Sequence, residues 1–289
     1  MAYKGHRINP KRFEPSQLKI IIIVLPLVIF MALPIIYIIN HAFKPMEELF
    51  AFPPTFFVRN ATMDNFTSLI KASRTAGIPM SRYVFNSLLV TILSIFLSLL
   101  FTTCAAFALS KIKFRAKNTL MNINQAAIMF VATAVLIPRY LVISFGGMID
   151  TYFAHIFPVV AMPVVLFLVK QFVDQVPDSL MEAAYIDGAT DFQVYLKIIL
   201  PMIKPAIATA AIMVFQNVWG NMETSNYFVN DDSMKTLTFY MNTLANANNT
   251  VAGQGMAAAA ALIMIVPNLV LFILLQKNVM NTMAHSGIK

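Results

Sequence analysis

Charge is what this sequence has least of. Of its 289 residues, 12% are Asp, Glu, Lys or Arg, against about 25% in soluble globular domains. A chain so poor in charge, and 58% hydrophobic, reads as a membrane protein. Cysteine is nearly absent. The single Cys104 lies in an apolar run, which excludes a disulfide framework and a paired-cysteine metal site; it reads as a small helix filler. The nine glycines never form G-x-x-x-x-G-K-[ST], so the chain lacks that phosphate cradle. His6, His41, His155 and His285 are scattered, which suits surface or interface roles rather than a metal site. No triad or nucleophile elbow occurs, so no catalytic residue is assigned.

The net charge of +8 would suit nucleic acid if it formed a patch. It does not. Lysine and arginine gather at the ends of apolar runs, as the positive-inside rule expects, so membrane lipid rather than nucleic acid is the expected surrounding. Six largely uncharged stretches have roughly the 20 residues that cross a hydrocarbon core of about 30 Å. They run over 20–40, 83–110, 118–138, 151–169, 205–222 and 257–276. Backbone in lipid must satisfy its own hydrogen bonds, so these are helices, and alternating barrel segments are missing. The basic start (Lys4, Arg7, Lys11, Arg12) precedes a run too long for a signal core and without an Ala-x-Ala site, so that run reads as the first span.

The expected architecture is therefore all-α and polytopic: a tail over 1–19, a six-span domain over 20–276, and a tail over 277–289. Fourteen of the 21 Lys and Arg fall on the side holding both tails, the loop with Lys111, Lys113, Arg115 and Lys117, and the segment between spans four and five. That side is expected to be cytoplasmic. The sixth span opens on Ala257 to Ala261, small residues that allow close packing within the chain or against another subunit.

The segment 177–201 is the most informative. Pro177 ends an extended link. Ser179 with Glu182, and Thr190 with Gln193, have capping-box spacing. Gly188 between them offers a left-handed helix stop. Phe192, Tyr195, Leu196 and Ile199 recur at i, i+3, i+4, i+7, one face of a second helix. Ala183 and Ala184 leave a smooth docking surface, while Glu182 on its own would also serve as a first-turn acid.

The pattern Glu-Ala-Ala, three residues, Gly, nine residues, Ile-x-Leu-Pro is unbroken from Glu182 to Pro201. It resembles the signature of permease subunits of bacterial binding-protein-dependent ABC importers. Asp187-Gly188-Ala189, Leu200-Pro201, the run Ala105 to Ser110 before a basic loop with Phe114-Arg115, Asn86-Ser87, and the ending Ser286 to Lys289 resemble the carbohydrate branch. Together they resemble the smaller six-span permease of maltose-type systems. The resemblance implies the type I importer permease fold in a bacterial inner membrane, with both termini cytoplasmic. It implies coupling to an ATPase through Glu182, Ala183, Ala184, Asp187, Gly188, Leu200 and Pro201. It implies as partners a second permease subunit, an ATPase dimer and an extracytoplasmic sugar-binding protein. The chain itself would bind no cofactor, with ATP and Mg on the ATPase.

Polar side chains inside spans tend to face cavities or other helices. Asn122, Asn124 and Gln125 in the third span, and Gln216, Asn217 and Trp219 in the fifth, are candidates for a sugar pathway, with helix-to-helix bonding or interfacial anchoring as the competing role. No charged residue lies mid-span, which fits a neutral cargo or a cargo that moves in water. The coupling pattern alone is equally compatible with an importer of amino acids or peptides, and the missing intramembrane charge pair argues against a stand-alone carrier.

Overall fold

A computed structural model describes residues 15–75, 77–247 and 251–286. The described residues are helical, with no strand among them. Lys4, Arg7, Lys11, Arg12, His6 and the ending Gly287 to Lys289 lie outside them.

Three helices are long and apolar enough to cross a bilayer unbroken. They lie within α1 (Pro15–Phe43), α4 (Met80–Lys111) and α15 (Val251–Ser286). The other three expected spans are not straight. The third is α5 (Lys117–Met129), a 3-10 turn (Ala132–Val135) and α6 (Leu136–Phe145), bent by 112°. The fourth is α7 (Tyr152–Val160) and α8 (Pro163–Asp174), bent by 45°. The fifth is entered through an 80° bend ahead of α12 (Lys204–Trp219). The expectation of continuous helices over 118–138 and 151–169 is thus corrected. Pro163 sits in the first turn of α8, where a missing N–H is harmless, so the chain restarts a helix there. The break after Met129 carries no glycine or proline; Phe130 and Val131 simply turn extended.

Between these lie α2 (Met46–Leu49) and α3 (Asp64–Thr75), then α9 (Asp178–Ile186) with α10 (Asp191–Val194) and α11 (Leu200–Met202). Last come α13 (Glu223–Tyr227) and α14 (Leu237–Ala247).

The helix α4 shows how these residues pack. Its buried stripe is polar and small (Ser87, Thr91, Ser94, Ser98, Thr102), and its exposed face is Phe85, Leu88, Ile92, Phe96 and Leu100. Lipid is as apolar as leucine, so helices associate by close contact of small residues instead of by hiding apolar ones. Against this stripe lie Val165, Val169 and Val173 of α8 and Ala206, Ala210 and Val214 of α12, all fully buried. Each series repeats every four residues, one ridge of a helix. The three-helix seam fixes the lower ends of α4, α8 and α12, and the segment 177–201 hangs from them.

At the opposite end, Asn86 is wholly buried. Its amide donates to the carbonyls of Ser233 (2.8 Å) and Lys235 (2.9 Å) and accepts from Tyr152 Oη (2.8 Å). Ser87 Oγ accepts from the Leu237 N–H at 2.7 Å. His155 is buried between Thr224 Oγ1 (2.7 Å) and the Met234 carbonyl (3.2 Å). His41 is also buried, its ring against Tyr37. Of the surface or interface roles expected for these two histidines, the surface one is corrected: each is packed inside the end of the bundle away from 177–201.

Candidate functional site: the coupling element

Helix α9 begins two residues earlier than capping-box spacing suggested. Pro177 is the N-cap and Asp178 the first helical residue, without a side-chain cap bond. Ser179 therefore falls inside the first turn and its box with Glu182 does not form. Proline, with φ fixed near −65° and no N–H, sets the entry instead.

The exit is as the sequence specifies. Asp187 is the C-cap and Gly188 follows at φ +80°. The Gly188 N–H donates to the Tyr185 carbonyl (3.0 Å), and the Ala189 N–H to the Ala184 carbonyl (2.9 Å). That pair of bonds is the Schellman stop, which favours glycine at the left-handed position.

Beyond it, Thr190 and Gln193 close a true capping box that starts α10. Tyr185 Oη donates to Asp191 at 2.7 Å, bridging α9 and α10 across the turn and raising the tyrosine pKa.

The second helix departs from regular α geometry. Tyr195–Ile199 is a π-turn, closed by the Leu200 N–H on the Tyr195 carbonyl. Pro201 has no N–H for the carbonyl four residues back, and a widened turn accommodates that loss. The wider turn also shifts the face. Val194, Tyr195 and Ile199 are buried, whereas Phe192 and Leu196 are exposed, so the expected stripe of Phe192, Tyr195, Leu196 and Ile199 is split. Cys104, expected as filler, is exposed and donates to Tyr195 Oη at 3.4 Å.

The element presents a consistent outward surface. Glu182, Ala183, Asp187 and Gly188 are exposed, Ala184 and Leu200 half-buried against the core, and Pro201 exposed. Around them Ile186 is 86% and Phe192 67% exposed. Apolar side chains this bare beside Ala183, Glu182 and Asp187 form an exposed patch of the kind that marks interaction sites.

The element is also tied to the second span. Lys111, the last residue of α4, donates to Asp178 Oδ1 and to the Val176 carbonyl, both at 2.6 Å. This ammonium holds the Asp178 carboxyl below the usual range. Ser110 Oγ donates to Asp174 (2.5 Å), which also receives Lys170 (2.7 Å). Nothing in the apolar periodicity pointed to this collar.

The six candidate pathway residues divide. Asn122, Gln125, Gln216 and Asn217 are exposed. Asn124 is buried and donates to the Pro163 carbonyl at 3.1 Å, filling an acceptor at the break between α7 and α8. It edges an apolar cavity of about 370 Å³ with Phe101, Leu120 and Met162. Trp219 is 6% exposed, stacked on Phe215, and donates from Nε1 to the Met264 carbonyl at 3.1 Å. Asn124 and Trp219 thus take the helix-to-helix role. Among the described residues no group of acidic, cysteine or histidine side chains could hold a metal.

These observations describe an integral membrane protein with bent spans and an exposed, partly apolar loop over 177–201. Comparison with known proteins places it further. Residues 98–278 match the family of binding-protein-dependent transport system inner membrane components, and the chain belongs to that family. Its sequence is similar to the arabinooligosaccharides transport system permease protein AraQ of Halalkalibacterium halodurans, 28% identical over 89% of this chain and 90% of that protein. It is similar to the diacetylchitobiose uptake system permease protein DasC of Streptomyces coelicolor, 24% identical over 89% and 91%. The fold is that of a chain in the crystal structure of a bacterial ABC transporter involved in the import of the acidic polysaccharide alginate. There the TM-score is 0.79 at 20% identity, covering 93% of this chain and 99% of that one.

Proposed function

We propose that this chain is one permease subunit of an ATP-driven importer of sugars or oligosaccharides, half of a heterodimeric pore with alternating access. The observation that carries the reading is the exposed element from Glu182 to Pro201, with its glycine stop and bare apolar rim, in a chain of this family. Carbohydrate is supported by relatives named for arabinooligosaccharide, diacetylchitobiose and melibiose/raffinose/stachyose import.

In this reading α9 seats in a cleft of an ATPase subunit in the cytoplasm, where both termini also lie. Ala183 gives close approach, Ile186 and Phe192 fill apolar pockets, and Gly188 with Asp187 fixes the angle at which the chain turns back. ATP and Mg are held by the ATPase pair; this chain supplies transmission and a path. A binding protein outside the membrane delivers the sugar, and a second permease completes the pore. Exposed Gln216 and Asn217 on α12, with Asn122 and Gln125 on α5, offer amides to sugar hydroxyls.

The test is purification in mild detergent followed by reconstitution. A second permease and an ATPase should co-purify. Hydrolysis should rise when the binding protein is loaded from a panel of arabinotriose, diacetylchitobiose, raffinose and maltose. A homo-oligomer that moves solute without an ATPase would overturn the reading; stimulation only by amino acids or peptides would replace the cargo.

A further inference from the structure

We propose that Lys111 is a positioning residue that ties the second span to the coupling helix, so that displacement of α9 is delivered to α4. The inference rests on the coupling role proposed above for α9. Backbone joins α9 directly to α8 on one side and, through Gly188, to α10, α11 and α12 on the other. The helix α4 has no such covalent route: Lys111 and Asp178 are 67 residues apart. A push on α9 reaches α4 only through side-chain contacts.

Lys111 is built for that task. Its side chain is 6% exposed although it ends a helix beside the cytoplasmic loops. Its ammonium forks to Asp178 Oδ1 and the Val176 carbonyl, both at 2.6 Å. Charge-assisted bonds of this length are roughly twice as strong as neutral ones. A buried ammonium that lost them would be left without water or acceptor, a strongly unfavourable state. The turn over 174–178 is therefore held to the foot of α4 through any motion that keeps Lys111 dry. Ser110 on Asp174 doubles the grip, and Lys117 Nζ on the Ser110 carbonyl (2.7 Å) extends it to the start of α5. A lysine in the last turn of a helix also complements the helix dipole. An exposed lysine would do that equally well, so burial and the fork to another element call for a further reason.

The experiment uses the full complex in proteoliposomes, with the panel sugar that stimulates hydrolysis most. It records sugar imported per ATP hydrolysed, together with the amount of ATPase retained. Lys111→Gln should keep the ATPase bound and lower the ratio roughly tenfold, the scale of one lost charge-assisted bond. Lys111→Arg should restore it. In a Cys104→Ser background, a short thiol cross-linker between Lys111→Cys and Asp178→Cys should restore it also, because a covalent strut replaces the fork. A wild-type ratio in Lys111→Gln overturns the proposal, as does a fall in assembly with the ratio unchanged. Should Lys111→Gln fail to insert, Asp178→Asn on the exposed side of the fork must still lower the ratio, and a wild-type ratio there is equally fatal. Gly188→Pro separates the two readings. If it releases the ATPase or lowers the ratio while Lys111→Gln does neither, only the tether falls; if neither variant has an effect, the coupling role of α9 falls with it.

Discussion

The hydroxyl of Tyr195 lies 2.8 Å from that of Thr103, joining the π-turn below the fifth span to the second span. Thr103 already donates to the Leu99 carbonyl at 2.7 Å, so the proton between them belongs to Tyr195. Tyr195→Phe keeps the packing and leaves Thr103 satisfied, so it should cost about 1 kcal/mol. Tyr195→Ala opens a hole beside Phe107 and should cost about 3–5 kcal/mol. Thermal unfolding of the solubilised complex distinguishes them; equal losses would mean that the ring packing contributes nothing.

At Gly188 the constraint is conformational. A Cβ there meets nothing within 4 Å, but the residue sits at φ +80°. Gly188→Ala should therefore insert normally and destabilise the turn by about 1–2 kcal/mol. Gly188→Pro also removes the donor to Tyr185 and should abolish ATPase retention in a pull-down. Full retention with proline would show that this turn does not set the docking angle.

The pathway candidates should separate by burial. Gln216→Ala and Asn217→Ala, on an exposed face, should raise the KM for sugar uptake and leave the melting temperature within about 1 °C, because surface changes of this kind are small. Trp219→Phe and Asn124→Leu should do the reverse, lowering stability by about 1 kcal/mol for each lost interhelical bond. Transport assays beside melting curves decide the matter. A sugar KM that responds only to Trp219 would move the pathway to the other side of α12.

The Asp150 carboxylate accepts from the Asn230 and Asp231 N–H groups and from the Asn230 amide (3.0 Å). These bonds, the Asn230 side chain first, hold its pKa below the usual value. A depressed carboxylate stabilises the folded form above its unfolded pKa of about 3.9, and that contribution disappears as pH falls through the lower folded value. The loop at 228–232 should stay docked at neutral pH and loosen only in acid. A spin label on Tyr227→Cys, with Cys104 replaced by Ser, should sharpen below about pH 4. In Asp150→Asn the transition should vanish.

Much of this was legible in the sequence, for reasons that differ by element. Unbroken spans such as α4 follow from apolar length alone. The stop at Gly188 and the box at Thr190 follow from local backbone chemistry, which neighbours rarely override. The start of α9 was misplaced because Pro177 and Ser179 both signal a beginning, and proline, nearer the chain's entry, prevailed. The kink after Met129 was invisible because Phe130 and Val131 are ordinary apolar span residues, and no glycine or proline marks their extended backbone. Asn124 and Trp219 looked like pathway groups because composition cannot say which face of a helix turns inward. Lys111 was legible only as a cytoplasmic charge, since its partners lie more than 60 residues away.

The principal neighbour of α1 is α15, which starts at Val251, about 200 residues after α1 ends. At a synthesis rate of about 5–20 residues per second, the first helix stands in the bilayer for roughly 10–40 s before its mate exists. Its exposed face from Ile20 to Ile36 is almost wholly Ile, Leu, Val and Phe, a surface at ease in lipid on every side. The helix α1 is thus suited to waiting, and α15, made about 200 residues later, is the one that gives it a place.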